Sequence, residues 1–336
     1  MKRVLLIASL ALSALLLAFS ETALGAAQQA ASMWLTRVLP ALFPFFVAVT
    51  MLSASGIYEI IIKRFSWAAL PACLLLGGIS GYPVGARLCS LTGRSEWSVY
   101  CNLCSPAFLL GVVAIGMLGD AAFFAPLAIA HYGAAVLAAV IRGLLRVDEA
   151  PASVPERTAA FSLPQVIADG MLAMLKVGGC IIFFSVLSAL IAETLGFKDS
   201  IWGALVAGTL EMTAGCQSLA LLPLPSRVLC ACLAAIISFG GLSVYMQAKS
   251  VAENIRPWPY LMGKLFQASL ALLIAYSVTP WFYHESSEAI SAQAETLLGN
   301  ASALATLMLA TSLGLVFSYL FALVIKKARC RIGAGL

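Results

Sequence analysis

Apolar stretches recur along the whole chain, and roughly 20 such residues are what a helix needs to cross the hydrocarbon layer of a bilayer. In order they are Val4 to Phe19, Val38 to Ser55, Trp67 to Thr92, Ser98 to Leu118, Phe124 to Ile141, Val177 to Leu195, Ile201 to Leu222, Val228 to Gln247, Trp258 to Tyr283 and Ala303 to Ile325. No water-soluble core accommodates this pattern, and only 10% of the 336 residues are charged, against about 25% in soluble domains. The net charge of +5 does not indicate a nucleic-acid partner. Its Lys and Arg residues cluster in short loops between apolar segments, where they set topology.

Ten segments need not be ten crossings. The third and seventh are interrupted by GGISGYPVG (Gly77 to Gly85) and GTLEMTAG (Gly208 to Gly215), leaving arms of about ten residues, too short to span. Irregular backbone at membrane depth is tolerated inside protein or beside a watery cavity, so each segment is read as a re-entrant hairpin, 67–92 and 201–222. On that reading Lys2, Arg3, Lys63, Arg64, Arg94, Arg142, Arg146, Arg157, Lys249, Arg256, Lys326, Lys327, Arg329 and Arg331 share one side, and only Arg37, Lys198 and Arg227 fall opposite. The positive-inside rule makes the first side cytoplasmic, both termini with it, and leaves His284 to Glu295 outside.

The hairpins share a frame. Gly78 precedes Gly85 by seven positions and Gly208 precedes Gly215 by seven, with Arg87 and Gln217 each two residues later. Each hairpin is followed by a helix broken by polar residues and breakers, Asn102-Leu-Cys-Ser-Pro106 and Ser238-Phe-Gly-Gly-Leu-Ser243. The unit of helix, hairpin, broken helix and helix crosses three times, so a second copy is inverted. The expected fold is an all-α polytopic membrane protein: an N-terminal helix with an outer amphipathic segment (1–37), a first repeat (38–145), a cytoplasmic linker (146–165), a second repeat (166–283), an outer loop (284–302) and a C-terminal helix with a basic tail (303–336). Ala23-Leu-Gly25 fits a signal-peptidase site, but the first helix is read as uncleaved.

The strings LPALFPFF (Leu39 to Phe46), GGISGYPVGARL (Gly77 to Leu88), NLCSPAFLLG (Asn102 to Gly111), GTLEMTAGCQSL (Gly208 to Leu219) and FGGLSVYMQ (Phe239 to Gln247) resemble the sporulation integral membrane proteins of the YlbJ type. These carry the nucleoside-recognition or Gate domain. The resemblance covers roughly Leu39 to Tyr283 and departs from the family pattern at Cys104, where a polar residue is expected. It implies a fold similar to the concentrative nucleoside transporters, with substrate enclosed by two re-entrant hairpins and two broken helices. It also implies a spore-formation context, the forespore outer membrane as a location, and passage of dipicolinate, a flat ring with two carboxylates.

An ionisable side chain inside a membrane segment is a functional candidate by default. Glu211 is such a carboxylate, at the tip of the second hairpin; it is read as an ion-coupling or substrate-bonding group, or else as a structural partner for Arg87 or for free backbone N–H groups. Arg87 either forks onto a substrate carboxylate or reaches the cytoplasmic surface. Ser80, Gly81, Tyr82, Pro83, Asn102, Ser105, Thr213, Gln217, Ser238, Gly240, Gly241 and Ser243 lie in or beside the interruptions and complete the candidate substrate site; helix-to-helix hydrogen bonding is the alternative use of their polar groups. His131 is read as a satisfied buried histidine, and Lys176, Lys249 and Lys264 as headgroup anchors.

Neither a nucleophile–base pair nor a metal set is present in the pattern, so no enzyme activity, metal or cofactor is expected. The cysteines are read as small buried residues, Cys101 and Cys104 included, despite their redox-type spacing. The function expected is transport of a small organic anion by alternating access, with H+ or Na+ as the coupling ion and a homo-oligomer as the assembled form. The alternatives are a nucleoside transporter and a non-transporting assembly or nucleoside-sensing protein.

Overall fold

A computed structural model describes residues 2–56, 69–145, 162–197 and 199–283. Lys63, Arg64, Arg146, Arg157, Lys198, most of the 146–165 linker, the 284–302 loop and the C-terminal segment with its basic tail lie outside the described residues. Among the described residues there is no strand. Five helices among the described residues are long and apolar enough to cross a membrane: Ser20–Ala48, Ala121–Gly143, Leu163–Leu195, Ser226–Val251 and Pro257–Phe282. The chain is an all-α polytopic membrane protein.

Helix α1 (Lys2–Ala18) is followed by α2 (Ser20–Met33), which passes through a π-helical turn at Trp34–Val38 into α3 (Leu39–Ala54). The wider turn falls just before Pro40, a residue with no N–H to give to the helical ladder. Residues Ser20–Ala48 thus run as one helix of 29 residues. Helices α4 (Ala69–Ser80) and α5 (Val84–Leu91) form a first hairpin around Gly81 to Pro83. A short helix α6 (Ser98–Cys101) opens into extended chain at Asn102 and resumes as a π-helix at Phe108–Met117. Helix α7 (Phe124–Leu145) closes this half.

The second half repeats the order. The long α8 (Leu163–Leu195) leads to a hairpin of α9 (Ile201–Leu210) and α10 (Met212–Ala220), joined through Glu211 alone. A helix broken at Gly240 follows as α11 (Ser226–Phe239) and α12 (Gly241–Val251), and α13 (Pro257–Phe282) ends the described chain. Helices α7, α11 and α13 pack together, while α2 and α3 lie along α8.

Glycine sets how closely the hairpins close. A methyl group on Gly215 would lie 2.3 Å from the Cα of Gly208, and one on Gly85 would lie 1.9 Å from the carbonyl oxygen of Cys101. Only a residue without Cβ fits either place. In the first hairpin the partner of Gly85 is Gly77, at 3.0 Å by the same measure, whereas Gly78 faces the ring of Tyr132. The close glycine pair is thus Gly208–Gly215 in the second hairpin and Gly77–Gly85 in the first, one residue longer than the seven-residue frame.

Candidate functional site

The two hairpin tips meet at a cavity of about 30 Å³. The first half contributes Gly81 and Tyr82 from its tip and Cys104 and Ser105 from its break. The second contributes Glu211 and Thr213 from its tip and Val244 and Gln247 from α12. Val38, Leu42, Val177 and Ile181 wall it off on the side of the long helices. This is room for one or two waters. Sites for small organic molecules run to about 300–1,000 Å³, so this cavity as it stands is too small for a ring compound.

Glu211 is 2% exposed and caps the N-terminus of α10, its Oε2 accepting from Ala214 N at 2.6 Å. A carboxylate here satisfies a backbone donor with no intrahelical partner and complements the positive end of the helix. The Thr213 hydroxyl faces the same carboxylate; the buried Ser243 hydroxyl also approaches it but falls outside hydrogen-bond geometry. The sequence offered two structural partners for Glu211, and the geometry supplies the backbone N–H groups at the tip.

Three side chains fasten the halves behind the cavity. Tyr82 donates from its hydroxyl to Ile237 O at 2.8 Å. The fully buried His131 accepts from Cys104 N through Nε2 at 3.0 Å and meets Ser238 Oγ through Nδ1 at 2.8 Å. Because the backbone amide must donate, Nε2 carries no proton, and the assigned tautomer places the hydrogen on Nδ1 toward Ser238. His131 is a satisfied buried histidine, as expected, and it ties the first break to the second. Asn102, also fully buried, donates through Nδ2 to the Tyr260 hydroxyl at 3.0 Å.

The remaining sequence candidates lie elsewhere. Ser80 returns its hydroxyl to Leu76 O within α4. Gly240 and Gly241 adopt φ of +82° and +78°, and Gly241 packs on the carbonyls of Gly208 and Leu210. Pro83 and Arg87 border a second cavity of about 220 Å³, with Asp169, Lys176 and Gln247. Gln217 borders a third of about 820 Å³, with Arg37, Glu193 and Asp199. Lys264, expected as a headgroup anchor, is fully buried; its ammonium donates to Asn102 O at 2.6 Å and to Gln267 Oε1 at 3.1 Å. Its place two turns into an apolar helix reads equally as a side chain reaching for the surface, so only the spacing of Gln267 three residues on hinted at a buried pair.

One face of α8 runs past all three cavities. Asp169, Ala173 and Val177 border the Arg87 cavity, Val177 and Ile181 the central one, and Ser185, Ser188 and Ala192 the Arg37 cavity. Steps of three and four residues keep these on one stripe, about 35 Å long at 1.5 Å per residue. The stripe is polar or small at its ends and branched-apolar at its middle. Among the described residues no group of three or more His, Cys, Asp or Glu is placed to hold a metal ion, and Cys101 and Cys104 are buried, unbridged thiols.

Comparison with known proteins gives one informative match. The chain is 25% identical over 328 aligned positions to the sporulation integral membrane protein YlbJ of Bacillus subtilis (strain 168), with 80% of each chain covered. This agrees with the resemblance carried by the hairpin and break motifs. No protein-family model matches the chain. No solved structure matches it to a significant degree.

Proposed function

We propose that the chain is a transporter that moves a small organic anion across a membrane by alternating access, with two re-entrant hairpins enclosing the substrate. The observation that carries this reading is the arrangement of cavities: a small central one walled by both hairpin tips, between two larger crevices at opposite ends of the α8 stripe that share no lining residue with each other. Polar and ionisable groups at such depth belong to substrate and ion paths. Arg87 and Gln217, which hold matching places after the two glycine frames, border opposite crevices. An inverted pair of repeats has this property. The Lys and Arg bias makes the Arg87 crevice and both termini cytoplasmic.

Dipicolinate is the substrate implied by the resemblance of the hairpin and break motifs to the sporulation membrane proteins, and the relative's name, a sporulation integral membrane protein, fits that setting. Glu211 is positioned to couple a proton or Na+, since its carboxylate is both helix cap and cavity wall. The test is uptake of labelled dipicolinate into proteoliposomes carrying the wild-type chain or Glu211→Gln, with a nucleoside as competitor and imposed H+ or Na+ gradients. Uptake that is lost in the variant supports the transporter, and competition shifts the substrate to a nucleoside. Absence of uptake from folded protein refutes transport and favours an assembly or nucleoside-sensing role.

A further inference from the structure

The transport reading leaves a fully buried cation unused. Lys264 lies in the apolar helix α13 with no exposed surface, and among the described residues its ammonium is in no ion pair. Its partner at 2.6 Å is a carbonyl that the sequence itself orphans. In an unbroken helix Asn102 O would accept from the residue four positions on, which is Pro106 and has no N–H. The ammonium takes that donor's place. It also donates to Gln267 Oε1 at 3.1 Å and stands 5.8 Å from the centre of the Tyr82 ring, within reach of a cation–π attraction. Two further atoms around it, Asn102 Oδ1 and Gln267 Nε2, are buried without partners.

Carbonyls freed at broken helices are where ion-coupled transporters hold a loose monovalent cation. We propose that Lys264 is a tethered cation filling that place at the first break, a positioning residue that fixes residues 102–105 and with them the Cys104 and Ser105 wall of the central cavity. Among the described residues the second break has no such cation: Gly240 turns the chain in the left-handed region, and the His131 bond to Ser238 holds the adjoining turn. The two halves thus differ in what their buried polar groups do: Lys264 donates to the first break, and Glu211 accepts at the second tip.

The proposal rests on the transport reading for its effect on flux, but its direct readout does not. Cys104 lines the cavity at 2% exposure, so its maleimide labelling, resolved from the other cysteines by peptide mass spectrometry, reports release of the first break. Lys264→Met is expected to raise the Cys104 labelling rate on the order of tenfold, the effect of losing one charge-assisted hydrogen bond. Lys264→Ala should behave alike, with propylammonium restoring slow labelling and propanol, its neutral counterpart in size, failing to do so. Unchanged labelling in Lys264→Met, or equal rescue by propanol, overturns the tethered cation. Should both Lys264 variants fail to fold, Gln267→Leu removes one acceptor and is expected to raise labelling in the same direction; no rise there overturns it as well. If the wild-type chain moves no substrate, transport is refuted while the labelling still decides the role of Lys264.

Discussion

The two hairpins reach the same cavity by different means. The second closes on itself: a single residue, Glu211, makes the turn, and its carboxylate binds Ala214 three positions on. The first is held from outside. Tyr82 crosses to Ile237, 155 residues away, and the adjoining break is gripped by His131 and Lys264. A self-contained hairpin can move as a unit without breaking bonds to its surroundings, whereas the first can move only when cross-links to the other half release. The second hairpin is therefore the expected mobile part and the first the anchored one.

The sharpest way to break this contrast is at the glycines. Gly85→Ala places a methyl group 1.9 Å from Cys101 O and within 2.9 Å of Asn102 Cα, so it forces the hairpin off the anchored break. A loss of about 3 kcal/mol or more is expected in thermal or denaturant unfolding, the upper range for overpacking. Gly215→Ala meets only the other arm of its own hairpin, at 2.3 Å from Gly208 Cα, and should cost less because both arms can part together. The reverse order would make the second hairpin the anchored one.

Next in size is His131→Leu. It leaves the buried Cys104 N–H without its acceptor and Ser238 without its ring partner, and about 2 kcal/mol should be lost. Hydrogen exchange should rise at both breaks, since one side chain serves both; a rise at one alone would separate them. Glu211→Ala removes a helix cap and is expected to lower stability by about 1 kcal/mol. Faster exchange should stay within residues 211–215, and spread into the first hairpin would contradict the self-contained reading. The smallest change is Tyr82→Phe, which removes one hydroxyl and leaves Ile237 O unpaired, for about 1 kcal/mol or less. Its signature is faster exchange at the first tip with the second unchanged.

Much of this arrangement was legible in the chain. Glycines and prolines interrupt apolar helices, and the interruptions at Gly81 to Pro83, Asn102, Glu211 and Gly240 fall within the glycine- and proline-bearing strings of the sequence. What the sequence could not supply was direction. At a break the backbone leaves the helical path, and whether Asn102, Ser238 or Ser105 faces the cavity depends on local φ and ψ that no periodicity encodes. Only Ser105 of those three does. Helices α2 and α3 run on as one apolar span, Ser20–Ala48, and Gln29, Ser32, Thr36 and Arg37 along its first part border the 820 Å³ crevice, a lining role that side-chain type alone does not reveal. Lys264 was misplaced because burial of a lysine depends on the orphaned carbonyl of Asn102, 162 residues away.

The chamber between the hairpin tips is not evenly placed between the two crevices. It shares Val177 and Gln247 with the Arg87 crevice and no lining residue with the Arg37 crevice. In architectural terms it is an annexe of the one and stands behind a partition from the other.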